Sequence, residues 1–84
     1  MNQVTLDLET TGLDPINDRI VLVAYRFGGN GDVKVCQVTE AVQDSLLVDT
    51  LADPKAVMRG HNVKFDALFL HKYGFEINCQ LDDT

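Results

Sequence analysis

The alternation of hydrophobic and polar residues predicts three strands in the first half of the chain. Every second side chain is apolar in residues 4–9, which is the pattern of a strand with one buried face. Residues 19–27 are an almost continuous run rich in β-branched and aromatic residues, which suits an inner strand. A glycine-rich turn at residues 28–32 leads into a third run at residues 33–38. We therefore expect a three-stranded meander.

The second half changes to helical spacing. Apolar residues predict an amphipathic helix over residues 39–52, which ends before Pro54. Residues 56–58 form an apolar run about as long as a short buried strand. Asn62 is a suitable N-cap for a second helix over residues 63–73. The predicted order is three strands, a helix, a strand and a helix.

This order predicts an α/β fold with a mixed sheet. A strand–helix–strand connection after an antiparallel meander places the fourth strand parallel to the first. Helices must then cover at least one face of the sheet.

Composition and charge argue against several classes of protein. The chain has 84 residues with 45% hydrophobic residues, and 7 Lys and Arg against 13 Asp and Glu give a net charge of −6. This balance argues against coating nucleic acid by bulk charge. No apolar run has the roughly 18–20 residues of a membrane helix, and the amino terminus lacks a signal-peptide pattern. Cys36 and Cys79 are expected to be reduced thiols, which suggests a cytoplasmic protein.

Two carboxylates near the end of the first predicted strand are candidates for metal binding. Asp7 and Glu9 share one face of that strand, with Cα atoms roughly 6.5–7 Å apart. Carboxylates this close repel each other unless a cation or a proton lies between them, and Mg²⁺ prefers such oxygen ligands.

A third carboxylate, Asp66, lies one turn into the second predicted helix. If the first and fourth strands are neighbours, it meets Asp7 and Glu9 where the parallel strands end. Such a cluster could hold two metals about 3.5–4 Å apart for phosphodiester chemistry. The alternative for each residue taken singly is a solvated surface charge.

Two segments carry a resemblance to a known family. Residues 7–13, D-L-E-T-T-G-L, resemble the first motif of the DEDD (DnaQ-like) 3′–5′ exonucleases. Residues 60–66, G-H-N-V-K-F-D, resemble the second motif, in the form closest to the proofreading domain of family A DNA polymerase I. The closing residues 81–84, L-D-D-T, also resemble a stretch that follows in that family.

The resemblance implies a ribonuclease-H-like fold with strand order 3-2-1-4-5 and a catalytic site that uses two divalent cations, Mg²⁺ or Mn²⁺. It implies that Asp7 ligates both metals, Glu9 ligates one and Asp66 ligates the second. Family members remove nucleotides from a single-stranded 3′ end, so the implied partner is single-stranded DNA, with RNA not excluded. No membrane partner is expected.

The same resemblance suggests residues that contact the substrate. Thr10 and Leu13 match positions that touch the terminal nucleotide, with Leu13 as an apolar wedge against the base. Asn62 and Phe65 match positions that hold the nucleic-acid backbone and its frayed end.

The chain departs from the family where the third motif is expected. That motif carries the fourth acidic ligand, and Asp82 and Asp83 lie too early to supply it. Residues 1–84 are therefore expected to be a partial domain, truncated before the fifth strand and the final helices. The fourth strand would then be an exposed edge open to self-association or a partner chain.

Two functions follow as hypotheses. One is a metal-dependent 3′–5′ exonuclease that is weak or inactive as this chain alone. The alternative is a non-catalytic half-domain that binds metal or nucleic acid and assembles with a partner chain.

Overall fold

Five strands form one mixed sheet in the order β3-β2-β1-β4-β5. The computed structural model describes residues 2–29 and 31–84. In chain order the elements are β1 (Gln3–Thr10), β2 (Ile20–Phe27), β3 (Lys34–Cys36), α1 (Val38–Ala41), α2 (Ser45–Ala52), β4 (Val57–Gly60), α3 (Val63–Lys72) and β5 (Gln80–Asp83).

The pairing of the strands confirms the predicted fold class. β1 and β2 are antiparallel, as are β2 and β3, so the first half is the expected meander. β4 lies parallel to β1. The order 3-2-1-4-5 also agrees with the order that the resemblance implies. Of the glycine-rich turn predicted between β2 and β3, Asn30 lies outside the described residues.

The expectation that the chain stops before a fifth strand is wrong. β5 pairs in parallel with β4, from Val57 opposite Gln80 to Gly60 opposite Asp83. β4 is therefore an inner strand, and β3 and β5 are the edges of the sheet. The sequence pattern misses β5 because it is four residues long and half-exposed or exposed throughout, so it lacks the apolar alternation of a strand. β5 therefore forms because its backbone pairs with β4, and not because of its own residue pattern.

The helix predicted over residues 39–52 is divided into α1 and α2. Asp44 causes the division, because its carboxylate accepts hydrogen bonds from the backbone N–H groups of Leu46 and Leu47. An aspartate in this position satisfies free N–H groups at the start of a helix, so a new helix begins here.

The helix predicted over residues 63–73 is confirmed as α3. Gly74 follows it with φ of +99°, a left-handed conformation that ends helices and that glycine adopts without a steric penalty.

Both long helices pack on the same face of the sheet. α2 connects β3 to β4 and α3 connects β4 to β5, so both crossovers run in the same direction across the sheet. Right-handed connections of this kind place their helices on one side. One buried cluster joins them to the sheet; it contains Val4, Leu6, Ile20, Val23, Tyr25, Cys36, Ala41, Leu47, Leu51, Ala56, Met58, Val63, Phe69, Leu70, Phe75 and Cys79. Cys36 and Cys79 are free thiols within it.

The other face of the sheet is more open. Thr5, Asp7 and Glu9 alternate with the buried residues of β1 and are half-buried or exposed. Val35 of β3 is 59% exposed. Within the described residues, no helix combines the length and apolar content needed to cross a membrane.

A partly buried hydrogen bond connects β2 to the start of α2. The Tyr25 hydroxyl donates to the Asp44 carboxylate at 2.6 Å. This bond lowers the pKa of Asp44, with further contributions from the Leu47 N–H and from Lys34 at 3.5 Å. Because a lowered pKa favours the ionised carboxylate in the folded state, the bond stabilises the fold above the unfolded-state pKa of about 3.9.

We predict that Asp44→Ala lowers the free energy of unfolding at pH 7 by roughly 1–3 kcal/mol, because it removes both a helix cap and a bond to a buried hydroxyl. Urea unfolding followed by circular dichroism measures this loss. The difference in free energy of unfolding between Asp44→Ala and the wild type should become smaller as the pH falls through the lowered pKa of Asp44. Asp49→Ala, at an exposed position of α2, is the matched control, and an equal loss there would contradict the prediction.

Candidate active site

The site forms where the parallel strands β1 and β4 end together. Thr5 lies opposite Arg59 in the register of these strands. One residue further, a Cβ atom on Gly60 would lie 2.7 Å from the carbonyl oxygen of Leu6. Only a residue without a side chain allows the two backbones to approach this closely.

A left-handed residue connects β4 to α3. Asn62 has φ of 63° and ψ of 49°, and asparagine tolerates this conformation better than most residues do. Its carbonyl oxygen accepts hydrogen bonds from the N–H groups of Phe65 and Asp66 at 3.1 and 3.4 Å. The predicted cap position is therefore confirmed, but the Asn62 side chain makes no capping hydrogen bond.

Asp66 is a buried carboxylate at the start of α3. It is 3% exposed, and its Oδ2 atom has no hydrogen-bond partner among the described residues. Burial raises its pKa to about 7, and the carboxylates of Asp7 and Asp83 add to the rise. A buried charge without a partner is costly, so this carboxylate needs a proton or a cation close to it.

Asp7 lies near Asp66 but in a different setting. It is exposed on the open face of β1 and lines a shallow cavity of about 240 Å³ together with Thr5, Ala24 and Arg26. Glu9 is exposed two residues further along the same strand. The structure thus brings Asp7 within electrostatic reach of Asp66 and places Glu9 nearer the end of β1.

The donor set fits a hard cation only in part. The unpartnered Oδ2 atom of Asp66 and the neighbouring Asp7 carboxylate are suitable oxygen ligands for Mg²⁺ or Mn²⁺. However, residues 2–29 and 31–84 contain no group of three or more His, Cys, Asp and Glu side chains that could hold a metal ion. Asp7, Glu9 and Asp66 therefore do not form a complete preformed cage.

The loop after β1 is held by a network of short hydrogen bonds around Asp18. The Asp18 carboxylate accepts from the Asp14 N–H at 2.9 Å and from the Thr11 hydroxyl at 3.1 Å. Any side chain at Gly12 would collide with this carboxylate. The conformation of the loop that follows Asp7 and Glu9 therefore depends on Gly12 and Asp18.

A lysine joins this loop to the end of α3. The Lys72 ammonium group donates to the backbone oxygens of Ile16 and Asp18 at 3.2 and 2.6 Å. Leu13 and Ile16 project from the loop and are each 83% exposed. Their apolar side chains are therefore open to contact with other molecules.

The remaining predicted contact residues differ in exposure. The Thr10 hydroxyl donates to the Gly12 carbonyl at 2.7 Å. Phe65 is half-buried and packs against Phe69 with ring centroids 4.8 Å apart. Asn62 is exposed. The roles of Thr10, Leu13, Asn62 and Phe65 in substrate binding remain predictions.

Sequence reasoning set Asp83 aside, and the structure places it at the site. Its Oδ1 atom accepts a hydrogen bond from the Asn62 N–H at 2.7 Å, and its charge adds to the raised pKa of Asp66. Asp83 ends β5, which is parallel to β4. A prediction of β5 would therefore have indicated Asp83 as a site residue, but the sequence pattern does not predict this strand.

Acidic side chains on β1 and at the start of α3, on a sheet of order 3-2-1-4-5, place this chain among the α/β proteins with an acidic site near the ends of parallel strands. The family model described as 3′-5′ exonuclease matches residues 1–83. The chain therefore belongs to the 3′-5′ exonuclease family, and the resemblance inferred from the two motifs is confirmed.

Solved structures agree with this assignment. Brucella melitensis NrnC bound to pGG is 27% identical, with a TM-score of 0.71 and coverage of 92% of this chain and 39% of that chain. Brucella melitensis NrnC with bound Mg²⁺ is 30% identical, with a TM-score of 0.71 and coverage of 92% and 40%. The present chain spans about two fifths of the length of these NrnC chains.

A more distant neighbour supports the fold alone. The apo form of exonuclease I is 17% identical, with a TM-score of 0.69 and coverage of 98% of this chain and 28% of that chain. The ribonuclease-H-like fold class is thereby confirmed. No curated protein matches the chain.

We predict that Gly60→Ala lowers the free energy of unfolding by roughly 1–3 kcal/mol, because its methyl group would press on the Leu6 carbonyl in a packed interior. Thermal unfolding measures the loss. Gly29→Ala is the matched control, since a Cβ atom there meets no described atom within 4 Å. Equal melting temperatures for the two variants would contradict the close approach of β1 and β4.

We predict that Asp66→Asn raises the free energy of unfolding in chelator at pH 8, by roughly 1–3 kcal/mol, because it removes a buried charge that two carboxylates oppose. Urea unfolding in EDTA measures the gain. Asp49→Asn, at an exposed helical position, should leave the midpoint unchanged. A loss of stability in Asp66→Asn would mean that the ionised carboxylate has a favourable partner in the fold.

Proposed function

We propose that this chain carries the metal-binding half of a 3′–5′ exonuclease site that hydrolyses phosphodiester bonds at a single-stranded 3′ end. The observation that supports it best is the buried Asp66 carboxylate, which lacks a hydrogen-bond partner and lies within electrostatic reach of Asp7. A fold seldom keeps such a costly group unless a ligand compensates for it.

The cofactors in this proposal are two divalent cations, Mg²⁺ or Mn²⁺. Asp7 would contribute to both positions, Glu9 to one and Asp66 to the other. Cations held there would supply water activation and charge stabilisation of the leaving oxygen. The protein's part is to hold these carboxylates on β1 and at the start of α3, beside the point where Gly60 keeps β1 and β4 close together.

Substrate contacts in the proposal come from the two loops that flank the carboxylates. Leu13 is exposed on the first loop and would press against the terminal base. Asn62 and Phe65 follow β4 and would hold the nucleic-acid backbone, while Thr10 fixes the start of the first loop through Gly12.

We base the proposed class of substrate on the ligands of the related NrnC structures. NrnC has been solved bound to pGG and with bound Mg²⁺, so a 3′ end of a short single strand is the ligand we assign, in DNA or in RNA. The proofreading role of a family A DNA polymerase I domain is the finer form of this proposal, on the strength of the second motif. The free buried thiols fit a cytoplasmic location.

We further propose that residues 1–84 are a partial domain with weak or no activity on their own. The first and second motifs are present, and the acidic ligand of the third would come from another segment or another chain. The open face of the sheet beside Asp7 is where such a segment would complete the site.

The second candidate function is a non-catalytic half-domain that binds metal or nucleic acid and assembles with a partner chain. It is favoured by one observation, that the described residues contain no group of three metal-binding side chains. An exposed edge strand, β3 or β5, would offer the partner its backbone.

We expect Mn²⁺ to bind the whole chain in a calorimetric titration, and the signal to be lost in Asp7→Ala and in Asp66→Asn because each removes a ligand. The same protein is incubated with a 5′-labelled single strand, in DNA and RNA forms. Shortening from the 3′ end that requires Asp7 supports the exonuclease. A 3′-blocked strand and Asp49→Ala are the controls.

The outcomes separate the two functions. Asp7-dependent Mn²⁺ binding without shortening supports the half-domain, and addition of a separate segment that carries the third motif should then restore activity. Absence of both Mn²⁺ binding and shortening would overturn the metal site itself.

A further inference from the structure

The end of β5 is bonded to the turn that precedes α3. The Oδ1 atom of Asp83 accepts a hydrogen bond from the Asn62 N–H at 2.7 Å. The next residue, Thr84, donates its N–H to the Gly60 carbonyl at 2.8 Å. Asp83, the last residue of β5, and Thr84, which follows it, therefore hold both ends of the segment 60–62.

This segment determines where α3 begins. Asn62 is the one non-glycine residue with positive φ among the described residues, and its side chain caps nothing. Its carbonyl group accepts from the N–H groups of Phe65 and Asp66. The direction of the first turn, and with it the Asp66 side chain, therefore depends on how the Asn62 backbone is held.

We propose that Asp83 is a positioning residue, which fixes the left-handed turn at Asn62 and so presents the Asp66 carboxylate to a bound cation. The cation belongs to the function proposed above, and to that extent this inference depends on it. The hydrogen bond itself belongs to the metal-free protein and is testable without any cation.

The contribution of Asp83 is as a hydrogen-bond acceptor and not as a charge. Its negative charge is unfavourable for ionised Asp66, because two carboxylates at one site repel each other. A carboxylate selected for charge would be misplaced here, whereas an oxygen atom 2.7 Å from a backbone N–H is well placed. An asparagine at position 83 offers an oxygen in the same place without the charge.

The test compares Asp83→Asn and Asp83→Ala, with Asp82→Ala as a matched control. Asp82 lies beside Asp83 on β5 but pairs with Arg59 at 2.8 Å instead of the turn. Two measurements use the whole chain: hydrogen exchange of the amides of residues 62–66 without metal, and calorimetric titration with Mn²⁺.

Asp83→Ala should speed exchange of the Asn62 and Asp66 amides and weaken Mn²⁺ binding, each by roughly three- to tenfold, because one hydrogen bond to the turn is lost. Asp83→Asn should keep both close to the wild type, and Asp82→Ala should do the same. If Asp83→Asn keeps the wild-type behaviour that Asp83→Ala loses, the effect comes from the hydrogen bond and not from a general loss of stability.

Three results would overturn the inference. Mn²⁺ binding that is lost equally in Asp83→Asn and Asp83→Ala, with amide exchange unchanged, would make Asp83 a charged ligand. Amide exchange unaffected by Asp83→Ala would remove its effect on the turn. If that variant does not fold, the scalar coupling across the hydrogen bond between the Asn62 nitrogen and the Asp83 carboxyl carbon decides the matter in the wild type, and its absence refutes the bond.

Failure of the proposed function is distinguishable from failure of this inference. A wild-type chain that binds no Mn²⁺ removes the metal site, while slower exchange of the turn amides in the wild type than in Asp83→Ala still establishes the positioning contact.

Discussion

The close approach of β1 and β4 at Gly60 is the constraint on which the rest of the structure depends. With a side chain at this position the Leu6 carbonyl would be displaced, and the ends of the two parallel strands would separate. The turn at Asn62, the start of α3 and the place of Asp66 all follow from that point in the chain. The position of the site is therefore determined first by the packing of the two backbones, and the side chains then supply its chemistry.

The electrostatics of the site work against the stability of the fold without a ligand. Asp66 is buried beside Asp7 and Asp83, so three of the thirteen acidic residues lie where their charges oppose one another. The net charge of −6 first argues against a nucleic-acid partner, but that inference considers only the whole chain. In the proposed function, a divalent cation held by these carboxylates would give the site a positive charge towards a phosphate.

The fold explains why a short chain can present such a site. Two crossover helices cover one face of the sheet and form a single core with it, which leaves the strand ends and the open face of β1 for other contacts. The helices also stabilise the loops: Lys72 of α3 binds the backbone of the loop after β1. The region around the carboxylates is thereby held from both the sheet and the helix side.

The sequence by itself determined the α/β class, the meander, the parallel fourth strand, the helix beginning after Asn62 and the family, because strict alternation, helical spacing and two motifs are local patterns. It also singled out Asp7, Glu9 and Asp66 as candidate ligands. Only the tertiary structure decided that β5 completes the sheet, that Asp44 divides the first helix, that Asp66 is buried without a hydrogen-bond partner and that Asp83 holds the turn. The cap at Asp44 is a local contact with Leu46 and Leu47, but it lies inside a continuous helical spacing of apolar residues that hides it. The other three features depend on contacts between residues distant in the chain, which leave no periodic mark on the sequence.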